Sequence, residues 1–274
     1  MQLKSTMLGA VLALSLPSLA TAQQCGGDFA TWRAGVEAEA QSQGVGPAGI
    51  AALEGAGIDQ KVLNRDRSQR VFTQTFREFA NRMISHDRMQ RGAANLQKYA
   101  DVFARGEREY GVPGPVIAGF WALETDVGAV QGDFNPLKAL ATLSHDCRRP
   151  ELFRPELIAF LKLVDRGIVS TDITGAWAGE IGQLQVLPSD YLEKGVDGDG
   201  DGRVDLKGSA PDAILTAANK LAQLGWKPGE PWLDEVRVPD NLNWAETGRV
   251  NKIPRSEWAA LGVTGRDGSP LPAD

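Results

Sequence analysis

The sequence predicts a mainly helical protein. Apolar residues recur at spacings of three and four along most of the chain, and the periodic segments follow one another across short loops bounded by proline and glycine. No internal repeat, low-complexity linker or second hydrophobic core interrupts them, so one domain after residue 22 is the simplest reading.

The elements follow in order. Asp28 is placed to cap a helix that carries Phe29, Trp32 and Val36 on one side. Phe72, Phe76, Phe79 and Met83 repeat at helical spacing, as do Met89, Ala93, Leu96, Ala100 and Phe103, with Gly111 as a stop. Pro113 and Pro115 open an apolar helix that reaches Glu124 and closes at Gly128; Val116, Ile117, Phe120, Trp121 and Glu124 are expected on its buried face. Asn135-Pro136 opens a helix through Leu137, Leu140 and Leu143, and Pro155 to Leu163 is a further one, stopped by Gly167. From Gly175 the chain becomes rich in glycine and amides, then in alternating aspartate and glycine. Asp212 is expected to cap a helix through Leu224, and a tail rich in proline and tryptophan holds one short helix after Ser256.

The chain has 274 residues, 42% hydrophobic and 23% charged, which is ordinary globular composition with ample length for a core. Residues 1–22 stand apart. Lys4 is their only charge, Met7–Leu16 is apolar, and Ala20-Thr21-Ala22 fits a small-x-small cleavage site, so they read as a secretory signal peptide. Ala22-Gln23-Gln24 before Cys25 does not resemble a lipoprotein box, and no later segment is apolar enough to span a membrane; a soluble exported protein is expected. Losing Lys4 adds one unit to the net charge of −6, and no basic block exists, which argues against nucleic acid as a partner. Cys25 and Cys147 are the only cysteines. Export favours a disulfide between them, worth about 4–5 kcal/mol in the chain-entropy picture; the alternative is two free thiols.

Three places could carry chemistry. A carboxyl on the buried stripe of a helix, near its negative end, resists ionisation, so Glu124 is a candidate general acid. Periodicity alone does not separate that role from an ordinary surface glutamate. Gly182-Gln183-Leu184-Gln185 offers amides suited to sugar hydroxyls and acetamido groups, with glycines that permit close approach. With Trp177 and Tyr191 it forms the candidate substrate-binding set, against the plainer reading of a structural turn. Asp197, Asp199, Asp201, the Arg203 carbonyl and Asp205 match positions 1, 3, 5, 7 and 9 of a calcium loop, with Gly202 at position 6. Position 12 is Gly208. Asp212, four residues on, is either a replacement ligand or only the helix cap. His86 and His145 lie far apart without metal-ligand spacing, and no phosphate-binding or nucleophile-elbow motif occurs. Asp126 points away from Glu124, and Glu180 could face either a cleft or solvent.

These pieces occur together in one order. Gly111-Val112-Pro113 precedes the helix ending Glu124-Thr125. Ala139–Leu143, Arg148-Arg149, Ala178-Gly179, Gly182–Gln185, Pro188-Ser189, the Asp/Gly loop, Asp212–Ile214, Ala218-Asn219 and Gly225-Trp226 follow. Over roughly residues 28–265 the chain resembles the lytic murein transglycosylase B family. It departs at Ala176, where the family often has Ser, at Ile181 for Met and Val186 for an aromatic, and at Glu180, where a small residue is common.

The resemblance implies a mainly α, lysozyme-like (α+β) fold with a small EF-hand-like loop. It also implies periplasmic peptidoglycan as substrate and partner, a monomer, Glu124 as the sole catalytic acid/base, and Gln185 lining the sugar cleft. No cofactor is implied for catalysis, and the Ca²⁺ would be structural. The expected organisation is a signal peptide at 1–22 and a single transglycosylase-like domain at 23–274. That domain comprises a helical part 23–110, a catalytic core 111–225 with the loop 197–208, and a C-terminal part 226–274; the family's domain continues further, so the expectation is either a short variant or an incomplete chain. A hydrolytic muramidase and a non-catalytic wall-binding or scaffold protein are the alternative functions.

Overall fold

The computed structural model describes residues 25–68, 74–248 and 250–272; the expected signal peptide and Phe72 lie outside them. The chain packs as two compact units that divide between Trp226 and Lys227.

The first unit is helical, as its periodicity predicts. Asp28 caps α1 (Phe29–Ser42) by accepting from the Thr31 amide, and Trp32, Val36 and Ala40 face inward. Short helices α2 (Pro47–Ala52) and α3 (Gln60–Arg67) follow. Helix α4 (Phe76–Met83) opens on a Thr75/Glu78 capping box. The run from Met89 to Phe103 is two helices, not one. Tyr99 leaves helical geometry at φ −113°, ψ 32°, and separates α5 (His86–Lys98) from α6 (Ala100–Tyr110). Gly111 closes α6 at φ 71°, where a side chain would be strained, and its carbonyl accepts from the Trp226 indole at 2.8 Å.

Helices α7 (Gly114–Thr125), α8 (Pro136–His145), α9 (Pro150–Asp165) and α11 (Ala210–Gln223) make the centre. α8 is apolar on most of its circumference and is buried at every position but Lys138 and His145. α9 begins five residues before the expected start and contains Pro155. Ser209, not Asp212, caps α11; Asp212 stands in its first turn. Leu140, Leu157, Phe160 and Ile214 have less than 2% of their surface exposed. Burying side chains of this size is worth about 1.5–3 kcal/mol each before entropy is counted. Cys25 and Cys147 form a disulfide across a separation of 122 residues. Beside it, Arg148 and Arg149 both bind the buried carboxylate of Asp66.

The second unit holds a two-stranded antiparallel ribbon, β1 (Val236–Arg237) with β2 (Thr264–Gly265), and the short helix α12 (Arg255–Ala260). Leu242 and Val263 are its buried apolar residues.

Candidate active site

The site grows from the C-terminal turn of α7. Ile117, Ala118, Trp121, Ala122 and Thr125 form its buried stripe, and Leu123 and Glu124 are exposed. The sequence places Glu124 on the buried face; in the structure it is exposed, because the last turn of α7 carries it past the edge of the buried stripe. Val116 and Phe120, two and one turns before it, are half-buried, so the row climbs out of the core and ends on the carboxyl. Water can therefore reach Glu124. Even so, surrounding protein raises its carboxyl above the ordinary range: burial is the largest cause, the Lys220 ammonium opposes it, and the Glu180 carboxylate adds to it.

After Thr125 the chain turns sharply. Asp126 and Val127 adopt left-handed backbone at φ 52° and 55°, and Gly128 follows at 88°. The turn carries Asp126 to Arg88, whose Nε lies 2.6 Å from its carboxylate and holds it below the ordinary range. Asp126 thus stands apart as an ion pair, in keeping with its orientation in the sequence.

Facing the helix end is the loop 175–186. Bridges Phe134–Gly175, Gly175–Ile181 and Ile181–Val186 fold it on itself. The Thr125 hydroxyl donates to the Gln183 carbonyl at 2.6 Å and accepts from the Gly128 amide at 2.9 Å, which locks the loop to α7. A Cβ on Gly182 would stand 2.5 Å from the Leu206 carbonyl oxygen, and one on Gly179 would stand 2.4 Å from Leu140. Gly182 thus lets two backbones approach, Gly179 makes room for the Leu140 side chain, and both adopt positive φ, 75° and 95°.

The four candidate sugar-binding residues separate. Gln185 is partly exposed and adopts left-handed backbone at φ 47°; its amide donates to the Gly182 carbonyl at 2.9 Å and the Gln131 carbonyl at 3.3 Å. Trp177 is half-buried against the core. Gln183 is buried, with its amide on the Lys207 carbonyl, and serves the loop's own frame. Tyr191 is buried too. Its hydroxyl donates to the Val204 carbonyl and accepts from the Leu206 amide, both at 3.0 Å, and burial pushes it up to about 12. These two hold the framework rather than offer a surface, because their polar groups are already committed to backbone.

Glu180 is the residue the sequence left undecided. It is half-buried between buried Ala178 and buried Ile181, and its Oε2 is sealed from solvent with no hydrogen-bond partner. Burial raises its carboxyl above the ordinary range, against the opposing influence of nearby main chain and Arg149. Periodicity gave no sign of Lys220 on α11, which is bound to Asp190 of α10 (Pro188–Lys194). Nor did it mark Glu156, which accepts from the Ser189 amide and hydroxyl.

The aspartate loop is reshaped relative to its expected ligand set. Oxygens of Asp197, Asp199 and Asp212 lie within 4.8 Å of one another. Three hard carboxylates at that separation fit a calcium ion. Asp201 and Asp205 are outside this group. Asp201 accepts from the Arg203 amide, and Asp205 caps the Lys207-Gly208 turn. Asp212, buried at the start of α11, accepts from the Gly198 and Asp205 amides and thereby closes the loop from the helix side.

The family described as Transglycosylase SLT domain matches residues 28–274. The chain is 35% identical over 190 residues to membrane-bound lytic murein transglycosylase B of Escherichia coli, an alignment covering 68% of this chain and 51% of that protein. It thus spans about half the length of that relative. SltB3 of Pseudomonas aeruginosa, solved in complex with NAG-anhNAM-pentapeptide, superposes with a TM-score of 0.82 at 33% identity, covering 90% of this chain and 66% of that one. Escherichia coli Slt35, solved in complex with calcium, superposes at 0.75 with 29% identity, over 92% and 81%.

Proposed function

The chain belongs to the transglycosylase SLT domain family, and on that premise we propose that it is a peptidoglycan lytic transglycosylase, a carbon–oxygen lyase. The reaction is cleavage of the β-1,4 bond between N-acetylmuramic acid and N-acetylglucosamine without water, leaving 1,6-anhydro-muramic acid ends. The relative named a lytic murein transglycosylase and the NAG-anhNAM complex of SltB3 support the substrate class. The observation that carries the chemistry is Glu124: a solvent-reachable carboxyl that the surrounding protein biases toward its protonated form.

Glu124 acts first as acid and then as base. Its proton goes to the glycosidic oxygen as the bond to C1 of the muramoyl sugar breaks. The sugar's own 2-acetamido oxygen supports the positive charge at C1, the role a second carboxylate plays in ordinary retaining glycosidases. The ionised Glu124 then takes the proton of the 6-hydroxyl, whose oxygen closes onto C1. Protons balance and no water enters. Gln185 and Trp177 border the sugar path. Asp126, tied to Arg88, is not a second catalytic acid. In the hydrolytic alternative Glu124 would activate a water in place of the 6-hydroxyl, and the mass of the products separates the two.

A structural Ca²⁺ held by Asp197, Asp199 and Asp212 would fix the 197–212 segment against the start of α11; the ion supplies charge neutralisation there and takes no part in catalysis. The calcium complex of Slt35 supports this assignment. Export to the periplasm rests on the sequence of residues 1–22. No helix of the described residues is long and apolar enough to cross a membrane. Digestion of purified peptidoglycan with wild type and Glu124→Gln tests the assignment, because anhydro products are lighter than hydrolytic ones by one water.

A further inference from the structure

We propose that Arg88 is a positioning residue for Glu124: through Asp126 it braces the left-handed turn that ends α7, and that turn fixes where the carboxyl stands. The inference rests on the reading of Glu124 as the proton donor. It adds a residue of α5 that acts on the acid through the chain, since its guanidinium is bound to Asp126 and to main chain.

The backbone is strained where it leaves the acid. Glu124 and Thr125 are the last two residues of α7, and Asp126 caps the helix at φ 52°, ψ 49°. Val127 follows at φ 55° and Gly128 at 88°. A left-handed residue at a helix end is common, but it is most often glycine. Here three follow in a row and only the third is glycine. For a β-branched residue such as Val127 this backbone is an outlier. Glycine would take the same path freely, so Asp126 and Val127 do not select it. Residues held in this way persist only where the surrounding contacts over-determine them.

Those contacts converge on the turn from two sides. On one side, Arg88 Nε donates to Asp126 Oδ1 at 2.6 Å, and Nη1 of the same guanidinium donates to the Met83 carbonyl, also at 2.6 Å. Met83 ends α4, and Arg88 stands in the first turn of α5, where its amide donates to the Ser85 cap at 3.3 Å. The Arg88 side chain is only 17% exposed. It is therefore a fixed strut from the junction of α4 and α5 to the end of α7. On the other side, the Gln131 amide donates to the Gly128 carbonyl at 3.0 Å, and the Thr125 hydroxyl accepts from the Gly128 amide at 2.9 Å. The Val130 amide donates to the Thr125 carbonyl at 2.9 Å. These bonds hold Thr125 and Gly128, and Arg88 holds the Asp126 side chain between them. The Asp126 amide closes the last turn of α7 on the Ala122 carbonyl at 3.0 Å. Without Arg88, Asp126 is free to leave the left-handed region, and the turn that carries Glu124 loosens with it.

The test is anhydro-product release from soluble glycan strands, with kcat and KM measured separately at a temperature below every variant's melting transition. Arg88→Met lowers kcat at least about tenfold and leaves KM within about twofold, because the acid is misplaced while the sugar path is intact. Asp126→Ala and Asp126→Gly both delete the carboxylate, but only alanine resists the left-handed backbone. Asp126→Ala therefore falls as Arg88→Met does, and Asp126→Gly stays near wild type. In the Asp126→Gly background, Arg88→Met has little further effect, since the brace is no longer needed. A direct effect of the Arg88 charge on Glu124 would instead make the two Asp126 variants alike. Equal activities of Asp126→Ala and Asp126→Gly, or wild-type kcat in Arg88→Met, overturns the inference. Absence of anhydro product from the wild type overturns the proposed function instead. The brace is then read from the backbone amide resonances of Glu124 and Thr125, which move in Arg88→Met; unmoved resonances overturn it.

Discussion

The Thr125 hydroxyl donates to the Gln183 carbonyl at 2.6 Å and so joins the helix that presents Glu124 to the loop that presents Glu180. One side chain thereby ties together the two segments that carry these acids. Thr125→Val keeps the shape and removes the bond, leaving a buried carbonyl and the Gly128 amide without their partner. The expected cost is about 1–3 kcal/mol in a denaturant melt. The loss of turnover should exceed anything explained by unfolding, since the loop is released from the acid it faces.

Glu180→Gln should change stability in a pH-dependent way. A carboxyl raised in the folded state binds its proton more tightly there than in the unfolded chain. Stability therefore falls as pH rises from the unfolded value, near 4.5, up to the folded one, and stays lower above it. The variant lacks that penalty. At pH 4 it and wild type should melt together; by pH 8 the variant should melt about 2–4 °C higher. Equal melting temperatures at both pH values would mean that the carboxyl is well solvated.

Asp66 should behave in the opposite sense. Burial alone would raise its carboxyl, but hydrogen bonds and charges from Arg148 and Arg149 outweigh it and hold the group below its unfolded value of 3.8. Its contribution is fully present above that pH and is lost as pH falls through the folded value. Asp66→Ala removes the shared acid of Arg148 and Arg149, whose side chains remain a third to a half exposed, and should cost about 1–3 kcal/mol at pH 7, with a smaller deficit in acid. Thermal melts of both proteins from pH 2 to pH 7 give the comparison.

Calcium should stabilise the first unit through Asp212. With the ion at a hundred times its dissociation constant, the gain is about 2.7 kcal/mol. Chelation should remove it, and Asp212→Asn should abolish the response. Because Asp205 and Asp201 lie outside the group of converging carboxylates, Asp205→Asn should leave most of the calcium shift in place. A larger loss from Asp205→Asn than from Asp212→Asn would return the ligand set to the regular twelve-residue spacing.

Much of this architecture is legible in the sequence because helices advertise their buried face at a fixed period. The α7 row from Val116 through Phe120 leads to Glu124, and Asp28, Asn135 and Gly111 mark ends by their side-chain chemistry. The errors lie where a side chain's partner is distant or is backbone. Tyr191 and Gln183 sit in a polar, glycine-rich stretch that reads as a binding surface, yet Val204, Leu206 and Lys207 already occupy their hydrogen-bonding groups. The period of α5 and α6 runs on through Tyr99, so the break between them has no signal in hydrophobicity. Asp212 lies four residues beyond the expected ligand position, and only the fold of the loop returns it to Asp197 and Asp199. The tie from Asp66 to Arg148 and Arg149, more than eighty residues away, has no local pattern at all.

The central claim is that Glu124 gives up a proton to a glycosidic oxygen and recovers one from the same sugar. The most direct measurement is mass analysis of the soluble products when purified peptidoglycan is incubated with wild type and with Glu124→Gln. The account expects 1,6-anhydro-muramic acid ends from the wild type, and from the variant retained sacculus binding with release reduced by at least about a hundredfold. Products heavier by one water, or normal release by Glu124→Gln, would contradict it.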